Sequence, residues 1–405
     1  MRAAWSALPL LIGAYLSPDA VAPSTPHTPQ GDTATARELA SGVAYRQFTD
    51  ASRPWVMHLV RVDLWRADLE VRHARAFDQL RGREKPTDMV RRAMSAGTTV
   101  LTAVNADFFW LATGENENNQ VIDGEWWKGL VTTDSPYDTF DNAHVQFGID
   151  AARRPMMDRF TLDGTAWAHG VPTPIITVNF SPSGTPQEAA FYTSRFGTMT
   201  PRDTSRRVIE APMVAAGRRG DTLLYVRRGA ASATSGSSIP VGGAVLVALG
   251  TGSSASQVQA MAEGDTVKLL LATLPRPGND AVPVLIIGGW PRILRDGVSI
   301  AGESATLEDT ISSNTNLRHP RTAVGFSRDS ATLYLLTVAG RTERSVGMTI
   351  AELAVILQRL GAWQAMNLDG GGSTTMVIDG LLANAPSDPT GERTVGNALS
   401  VVRKP

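Results

Sequence analysis

Apolar and polar positions along the chain alternate mostly with the two-residue period of β-strands, and only a few segments show a helical period. Alternation predicts strands at residues 56–64 and 69–73, and a continuous apolar run predicts a strand at 100–105. Helical spacing predicts helices at 87–96 and 350–360. The pattern therefore indicates an α+β fold with β-rich mixed sheets and a few helices.

The middle of the chain continues the β-rich pattern, with two Gly/Ser/Ala-rich stretches at 229–238 and 250–256 that we expect to be solvated loops. Segments that contain candidate catalytic and binding residues lie on both sides of this middle region, at 105–148 and 288–397. Both ends of the chain must therefore converge on one site. Residues 150–285 are a candidate variable subdomain. The strands predicted there are at 222–227, 244–249, 266–271 and 282–287.

The helix at 350–360 has clear boundary signals. Thr349 and Glu352 stand at the N-cap and N3 spacing of a capping box, and Gly361 follows as a stop signal. The sequence therefore predicts one amphipathic helix with defined ends.

Asp369 lies at the end of the next predicted strand, 363–368, immediately before three glycines. The residues after the glycines predict another strand at 374–378, leading to an Asp-Gly turn. A dinucleotide loop and a P-loop do not fit, because no G-x-G-x-x-G precedes a helix and no Gly-Lys-Ser/Thr follows the glycines. The glycines are either a plain turn or a loop whose bare N–H groups a ligand can approach closely.

Composition agrees with a globular protein of 405 residues, because 42% of the residues are apolar and 19% are charged. The net charge of −1 gives no reason to expect nucleic acid or an anionic membrane as a partner. The chain has no cysteine, which excludes disulfides, cysteine nucleophiles and thiolate zinc sites.

The N-terminus resembles a secretory signal. Arg2 precedes an apolar run at 3–16, and Ala20-Val-Ala22 offers a small-x-small cleavage site. We expect a signal peptide at 1–22, a linker at 23–42 and one domain at 43–405. This predicts a secreted or periplasmic protein with no stable membrane insertion after cleavage.

Six motifs fall along the chain in the order of a known family. They are Asn105-Ala-Asp-Phe-Phe, Gly114-Glu-Asn, Ala143-His-Val-Gln-Phe-Gly, His319-Pro-Arg-Thr-Ala-Val-Gly, Gly347-Met-Thr-Ile-Ala-Glu-Leu-Ala and Met366-Asn-Leu-Asp-Gly-Gly-Gly-Ser-Thr-Thr-Met. Together they resemble the phosphodiester glycosidase family, the family of the mannose 6-phosphate uncovering enzyme and its bacterial relatives. The resemblance runs over residues 43–402, with a weakly matched middle, and implies a phosphodiester glycosidase-like domain.

This resemblance implies a hydrolase that cleaves sugar 1-phosphodiesters at the anomeric carbon. Three carboxylates are candidates for the catalytic group, namely Asp369, Glu115 and Asp107. Asp369 comes first because it matches the family motif beside the glycines. Asp107 departs from the family pattern, in which many relatives have glycine. Arg321 lies in the motif that starts at His319, and Arg341 lies in a further family motif, Gly340-Arg. Both are candidates to grip the departing phosphate, whereas a surface ion pair is the alternative for each.

Short polar side chains near these motifs are candidates for substrate binding, with turn capping as the alternative for each. The candidates are Asn105, Asn119, Asp123, Gly370, Gly371, Gly372, Ser373 and Thr374. The six histidines show no zinc motif, whereas a divalent cation held by Asp and Asn oxygens needs no fixed motif and stays open. No other cofactor is predicted.

The sequence favours an exported hydrolase of sugar 1-phosphodiesters, including α-N-acetylglucosaminyl ones, in envelope or extracellular glycopolymers. Two alternatives remain open: a non-catalytic exopolysaccharide-binding protein, and a glycosidase that acts on glycosides without phosphate. In each case the expected partner is a sugar phosphodiester or polysaccharide, with no nucleic acid.

Overall fold

The computed structural model describes residues 34–50, 53–133, 143–181, 188–276, 283–308 and 312–404. The expected signal peptide at 1–22 lies outside the described residues.

The chain forms twenty-five described strands and five described helices. The first nine strands are β1 (Ala34–Ala40), β2 (Val43–Asp50), β3 (Trp55–Asp63), β4 (Leu69–Arg75), β5 (Thr99–Asn105), β6 (Gln120–Ile122), β7 (Glu125–Leu130), β8 (Gln146–Asp150) and β9 (Pro155–Asp158). The middle strands are β10 (Thr161–Ala168), β11 (Val171–Val178), β12 (Ala189–Thr193), β13 (Val208–Arg219), β14 (Thr222–Arg227), β15 (Gly243–Leu249), β16 (Thr266–Leu274) and β17 (Pro283–Gly288). The remaining strands are β18 (Arg292–Arg295), β19 (Val298–Ser299), β20 (Arg321–Phe326), β21 (Thr332–Val338), β22 (Gln364–Asn367), β23 (Met376–Ile378), β24 (Leu381–Leu382) and β25 (Asn397–Arg403). The helices are α1 (Pro86–Ser95), α2 (Ser253–Ala260), α3 (Ser304–Glu308), α4 (Ser312–Thr315) and α5 (Ile350–Arg359).

Two of the three sheets join the two ends of the chain. An eight-stranded sheet has the order β1-β2-β3-β21-β20-β22-β18-β19, and a five-stranded sheet has the order β24-β23-β5-β25-β4. In the second sheet β5 lies between β23 and β25, with Val104 opposite Met376 and Leu399. The apolar faces of both sheets share one buried core that includes Val60, Leu335 and Met366. The two ends of the chain therefore converge, as predicted.

Helix α5 follows the boundary signals in its sequence. The Thr349 hydroxyl accepts a hydrogen bond from the Glu352 N–H, and the Glu352 carboxylate accepts one from the Thr349 N–H. This capping box satisfies two N–H groups at the helix start. Leu353 and Leu357 then pack with β-strand residues in a second buried core. The predicted capping box and helix are confirmed.

The third sheet contains a closed barrel. Its twelve strands have the order β10-β16-β14-β13-β15-β12-β11-β7-β6-β17-β8-β9, and β11 also pairs with β10. Seven strands, from β10 to β11, therefore form a ring around the core that includes Leu162, Phe191 and Leu269. Most of the barrel comes from the middle of the chain, but β6, β7 and β17 continue its sheet. A separate subdomain at 150–285 remains a prediction.

The fold is β-rich with few helices, as expected, and two local predictions are wrong. The linker predicted at 23–42 includes β1, because Ala34–Ala40 pairs with β2 across a turn at Gly42, whose φ is +79°. The loop predicted at 250–256 includes the start of α2, where Ser254, Ala255 and Val258 are buried. No helix within the described ranges is long and apolar enough to cross a membrane.

Candidate active site

Asp107 and Asp369 meet where β5 and β22 end. Asp107 is the second residue after β5, and Asp369 is the second residue after β22. The Asp369 N–H donates to the Ala106 carbonyl at 2.9 Å, which holds the two segments together. Asp107 is buried, and its carboxylate accepts hydrogen bonds from the Asn118 side chain at 2.8 Å and the Asn118 N–H at 3.2 Å. Two of the three predicted catalytic carboxylates therefore lie side by side.

Both carboxyl groups have raised pKa values. Burial raises the pKa of Asp107 to about 6, although the Asn118 hydrogen bonds favour its ionised form. Burial also raises the pKa of Asp369 to about 6; the Ser373 hydroxyl and Arg393 oppose this rise, and the Asp107 charge adds to it. The Asp107 charge thus raises the pKa of its neighbour Asp369, and both carboxyl groups are more easily protonated than a solvent-exposed aspartate. A pair that exchanges a proton near neutral pH can serve as general acid and base.

The glycines after Asp369 form a rigid turn. Gly371 donates its N–H to the Pro320 carbonyl at 2.9 Å, and its φ of +60° favours glycine. Ser373 and Thr374 donate to the carbonyls of Gly370 and Gly371 at 3.1 and 3.2 Å. These N–H groups are already paired, so the loop is less open to an anion than the sequence suggests.

Two arginines lie against this turn. A Cβ atom added to Gly371 would lie 3.1 Å from Arg341 Nη2, and one added to Gly372 would overlap Arg393 Nη2. Asp388 joins the two guanidinium groups. It accepts hydrogen bonds from Arg393 at 2.7 and 3.0 Å, and one of its oxygens is 3.7 Å from Arg341 Nη1. Two positive charges and one negative charge therefore surround the turn, and the net positive charge suits a phosphoryl group.

The structure does not support phosphate binding by Arg321. Its side chain is only 2% exposed and donates to the carbonyls of Met348 at 2.9 Å, Asn314 at 2.6 Å and Leu317 at 3.1 Å. Burial lowers the pKa of its guanidinium to about 10. Arg321 therefore ties α4 and the start of α5 to β20, whereas Arg341 keeps a half-exposed side chain at the glycine turn.

Glu115 lies in an ion-pair cluster. Its carboxylate is 2.9 Å from Arg81 Nε and 3.1 Å from Lys128 Nζ. Burial alone would raise its pKa, but Lys128 and Arg81 outweigh this effect and lower the pKa. An ionised Glu115 can stabilise charge or position the buried Lys128, but it is a poor proton donor.

Two of the predicted substrate-binding asparagines have structural partners. Asn105 donates to the Asp369 carbonyl at 2.6 Å and accepts from the Thr322 hydroxyl at 2.7 Å and the Thr375 N–H at 3.0 Å. Asn119 donates to the Phe160 carbonyl at 3.0 Å and accepts from the Leu130 N–H at 2.6 Å. Asn105 therefore positions the Asp369 segment, and Asn119 fixes β6 and β7.

Asp123 does not join the two carboxylates. It occupies the turn between β6 and β7, with a φ of +52°. Four residues of largely extended chain, 119–122, separate it from Asn118, a span of at most about 16 Å at roughly 3.3 Å per residue. Asp123 stays a predicted substrate-binding residue, placed on the turn between β6 and β7.

The hydroxyl residues after the glycines differ in their surroundings. Ser373 is buried, and its hydroxyl lies close enough to Asp369 to lower the pKa of that carboxyl group. The Thr374 hydroxyl is buried too, and it makes no hydrogen bond to a described residue. Ser373 therefore helps to orient the Asp369 carboxylate.

A stacked ring pair borders Asp107. The rings of His144 and Trp290 lie 5.1 Å apart with an angle of 14° between their planes. The His144 charge favours the ionised form of both Asp107 and Glu308. Glu308 is buried and accepts the N–H groups of Val145 and Arg292, each at 2.9 Å. His144 thus lies between two buried carboxyl groups.

No group of three or more His, Cys, Asp or Glu side chains in the described part of the chain is arranged to hold a metal ion. The divalent cation that the sequence left open stays a prediction.

Sequence reasoning missed three residues of this site: Asn118, Asp388 and Arg393. Arg393 and Asp388 lie in a polar segment shortly before β25, and only the fold brings them to the glycine turn. Asn118 lies in the Asn-rich segment after Glu115, whose polar density was the available signal.

Comparisons with known proteins add to this geometry. Residues 214–402 match the family model described as phosphodiester glycosidase. The mouse N-acetylglucosamine-1-phosphodiester alpha-N-acetylglucosaminidase is 36% identical over 112 residues, which are 26% of this chain and 21% of the mouse protein. The SPbeta prophage-derived uncharacterized protein YomE of Bacillus subtilis is 36% identical over 120 residues, 29% of this chain and 18% of that protein. The chain therefore spans about a fifth of the length of these curated relatives.

A solved structure of a hypothetical protein from Synechocystis shares the fold. It has a TM-score of 0.71 at 19% identity and covers 92% of this chain and 64% of the other. The matched family domain includes Asp369, Arg341, Asp388 and Arg393, whereas Asp107 lies outside it. Over residues 214–402 the chain therefore matches the phosphodiester glycosidase family.

Proposed function

We propose that the protein is an exported hydrolase that cleaves sugar 1-phosphodiester linkages in envelope or extracellular glycopolymers. The observation that carries the proposal is the carboxylate pair of Asp107 and Asp369 beside two arginines at one glycine turn. The carboxylates suit attack at the anomeric carbon, and the arginines suit the phosphate that leaves. The similarity to the mouse N-acetylglucosamine-1-phosphodiester alpha-N-acetylglucosaminidase supports the choice of an α-N-acetylglucosaminyl phosphodiester as the first substrate to test.

In the proposed reaction, the bond between the anomeric carbon and the phosphate oxygen breaks, and its electron pair remains on the phosphate. Arg341 and Arg393 stabilise that charge, and because a phosphate monoester is a weak base it needs little proton donation. Asp369 attacks the anomeric carbon or takes a proton from the attacking water, and its partner Asp107 holds the remaining proton of the pair. Ser373 keeps the Asp369 carboxylate oriented.

The proposal is tested by incubating the mature protein with a panel of sugar 1-phosphodiesters and aryl glycosides, with and without a chelator. We expect release of free sugar and phosphate monoester, faster than hydrolysis of any aryl glycoside. Asp369→Asn should remove this activity, and Asp329→Asn, at an exposed turn, is the matched control. Binding of the phosphodiesters without turnover would instead favour a non-catalytic binding protein.

Export is proposed from Arg2, the apolar run and Ala20-Val-Ala22. N-terminal sequencing of the protein from its native host should find a terminus near residue 23. An intact Met1 on cytoplasmic material would contradict export and would leave the hydrolase proposal standing.

A further inference from the structure

A partly open cavity of about 590 Å³ lies between strands of the seven-stranded barrel and strands β6, β7 and β17. Side chains that face the barrel core line its wall, among them Phe191, Leu223, Tyr225 and Leu271. The turns between β6 and β7 and between β13 and β14 contribute to its rim through Asp123 and Asp221. A cavity of this size falls within the range of roughly 300–1,000 Å³ found for small-molecule sites, and barrel mouths are common places for them.

Three aromatic side chains give the cavity an apolar wall, and one of them, Tyr225, adds a hydroxyl group. Trp126, Phe191 and Tyr225 are nearly buried, and the rings of Phe191 and Tyr225 lie 5.5 Å apart at an angle of 73°. The Tyr225 hydroxyl makes no hydrogen bond to any described residue. Burial raises its pKa to about 12, so the hydroxyl stays protonated and can donate. The hydroxyl oxygen is accessible from the cavity that Tyr225 lines, so a ligand there can accept this hydrogen bond.

The charges around the cavity nearly balance. Asp123, Glu125 and Asp221 oppose Arg218 and Arg276. Two of these charges already have partners outside the cavity, because Glu125 is 2.7 Å from Arg195 and Arg276 is 3.1 Å from Asp163. The cavity therefore offers both hydrogen-bond donors and acceptors, but it has too little net charge to attract a phosphate or an ammonium group.

The cavity is separate from the carboxylate pair. Strand β6 starts two residues after Asn118, which binds Asp107, and leads to Asp123 on the cavity rim. The residues that line the cavity include Val121 and Asp123 of this segment but none of Asp107, Asn118 and Asp369. A ligand that fills the cavity therefore contacts a set of residues different from the carboxylate pair.

We propose that the barrel cavity is a second binding site, which takes a neutral oligosaccharide of two or three units. A pyranose ring has an apolar C–H face that suits the aromatic wall and hydroxyl groups that suit the rim and the Tyr225 hydroxyl. The site goes beyond the proposed hydrolysis and does not require it, because binding here needs none of the catalytic side chains. In a glycopolymer, the cavity holds a segment of the chain at a distance from the bond that is cleaved.

The experiment is calorimetric titration of the mature protein with a panel of neutral oligosaccharides, including trimers of glucose and of N-acetylglucosamine. We expect one ligand to bind with a stoichiometry of one. Tyr225→Phe should weaken binding about 3- to 10-fold, because it removes one hydrogen bond and keeps the ring. Leu271→Trp should abolish binding, because the indole fills part of the cavity.

Two controls separate this site from others. Tyr192→Phe also removes a buried tyrosine hydroxyl, but Tyr192 lies on the opposite face of β12 and its hydroxyl donates to the Phe180 carbonyl at 3.0 Å. Asp369→Asn changes the carboxylate pair. Both variants should bind the neutral ligand with the parental affinity, whether or not the protein hydrolyses a phosphodiester. Absence of binding across the panel, or parental binding by folded Leu271→Trp, would overturn the proposal.

Discussion

Replacing Asp107 with asparagine tests whether this buried carboxylate, when ionised, lowers the free energy of unfolding. Its side chain is 1% exposed, and burial raises its pKa from 3.8 to about 6. Because the pKa in the folded state is above the unfolded value, ionisation of Asp107 favours unfolding. This penalty is absent below about pH 4, grows as the pH rises, and is complete above about pH 6 to 7.

The magnitude follows from the shift of about two pKa units. At about 1.4 kcal/mol per unit, the ionised carboxylate destabilises the fold by ~3 kcal/mol at pH 8. In Asp107→Asn, the new amide would keep the hydrogen bond from the Asn118 side chain but present an NH2 group to the Asn118 N–H, at a cost of about 1 kcal/mol. The variant should therefore gain ~2 kcal/mol in free energy of unfolding at pH 8 and lose about 1 kcal/mol at pH 4.

The assay is urea unfolding, followed by tryptophan fluorescence, between pH 4 and pH 8. Glu115→Gln is the control, and its effect on stability should have the opposite pH dependence, because Lys128 and Arg81 outweigh burial and lower the pKa of Glu115. The stability that Glu115 contributes is present above its unfolded pKa and is lost as the pH falls, so Glu115→Gln should be most destabilising at neutral pH. If Asp107→Asn changes stability equally at pH 4 and pH 8, the burial argument for Asp107 is refuted.

Three further changes address the arginines and Asp369. Asp369→Asn should lower turnover by about 100-fold or more, as expected for loss of a general acid–base group, and a parental rate on the best substrate would reduce the glycine turn to a structural feature. Arg341→Lys and Arg393→Lys should each lower kcat/KM on a phosphodiester by roughly 10- to 100-fold, with little effect on any aryl glycoside, because lysine cannot make a bidentate contact. Arg321→Lys should lower the melting temperature and leave turnover of the folded protein near the parental value, because its donors serve protein carbonyls; a selective loss of phosphodiester hydrolysis in a stable variant would return Arg321 to the active site.

Local signals in the sequence predicted local structure well. The N-cap hydroxyl of Thr349 and the carboxylate of Glu352 are three residues apart, so their capping box could be read directly. Alternating apolar residues predicted β3 in the same way. The boundary of β1 was missed because Ala34–Ala40 has few large apolar residues, and its strand is defined by pairing with β2. Closure of the barrel was missed because it depends on the pairing of β10 with both β11 and β16.

The site was predictable where one motif contains both the side chain and its surroundings. Asp369 and its glycines are adjacent in sequence, whereas Arg393 reaches them through the fold. Arg321 was assigned to phosphate because its motif resembles the family, but sequence does not show that its donors meet the carbonyls of Met348 and Asn314. A side chain's partners decide whether a positive charge is available to a ligand.

The position of β5 has a consequence for synthesis of the protein. This strand ends at Asn105, and its neighbour β25 begins at Asn397, whose side chain accepts the Asp107 N–H at 2.9 Å. When a ribosome has made only the first half of the chain, Asp107 has therefore been synthesised, but β25 and the Asn397 amide that fix it have not. Pairings over such long stretches of sequence form slowly, because the intervening chain must be ordered first. In the nascent polypeptide, the pair of Asp107 and Asp369 therefore forms only after β25 has been translated.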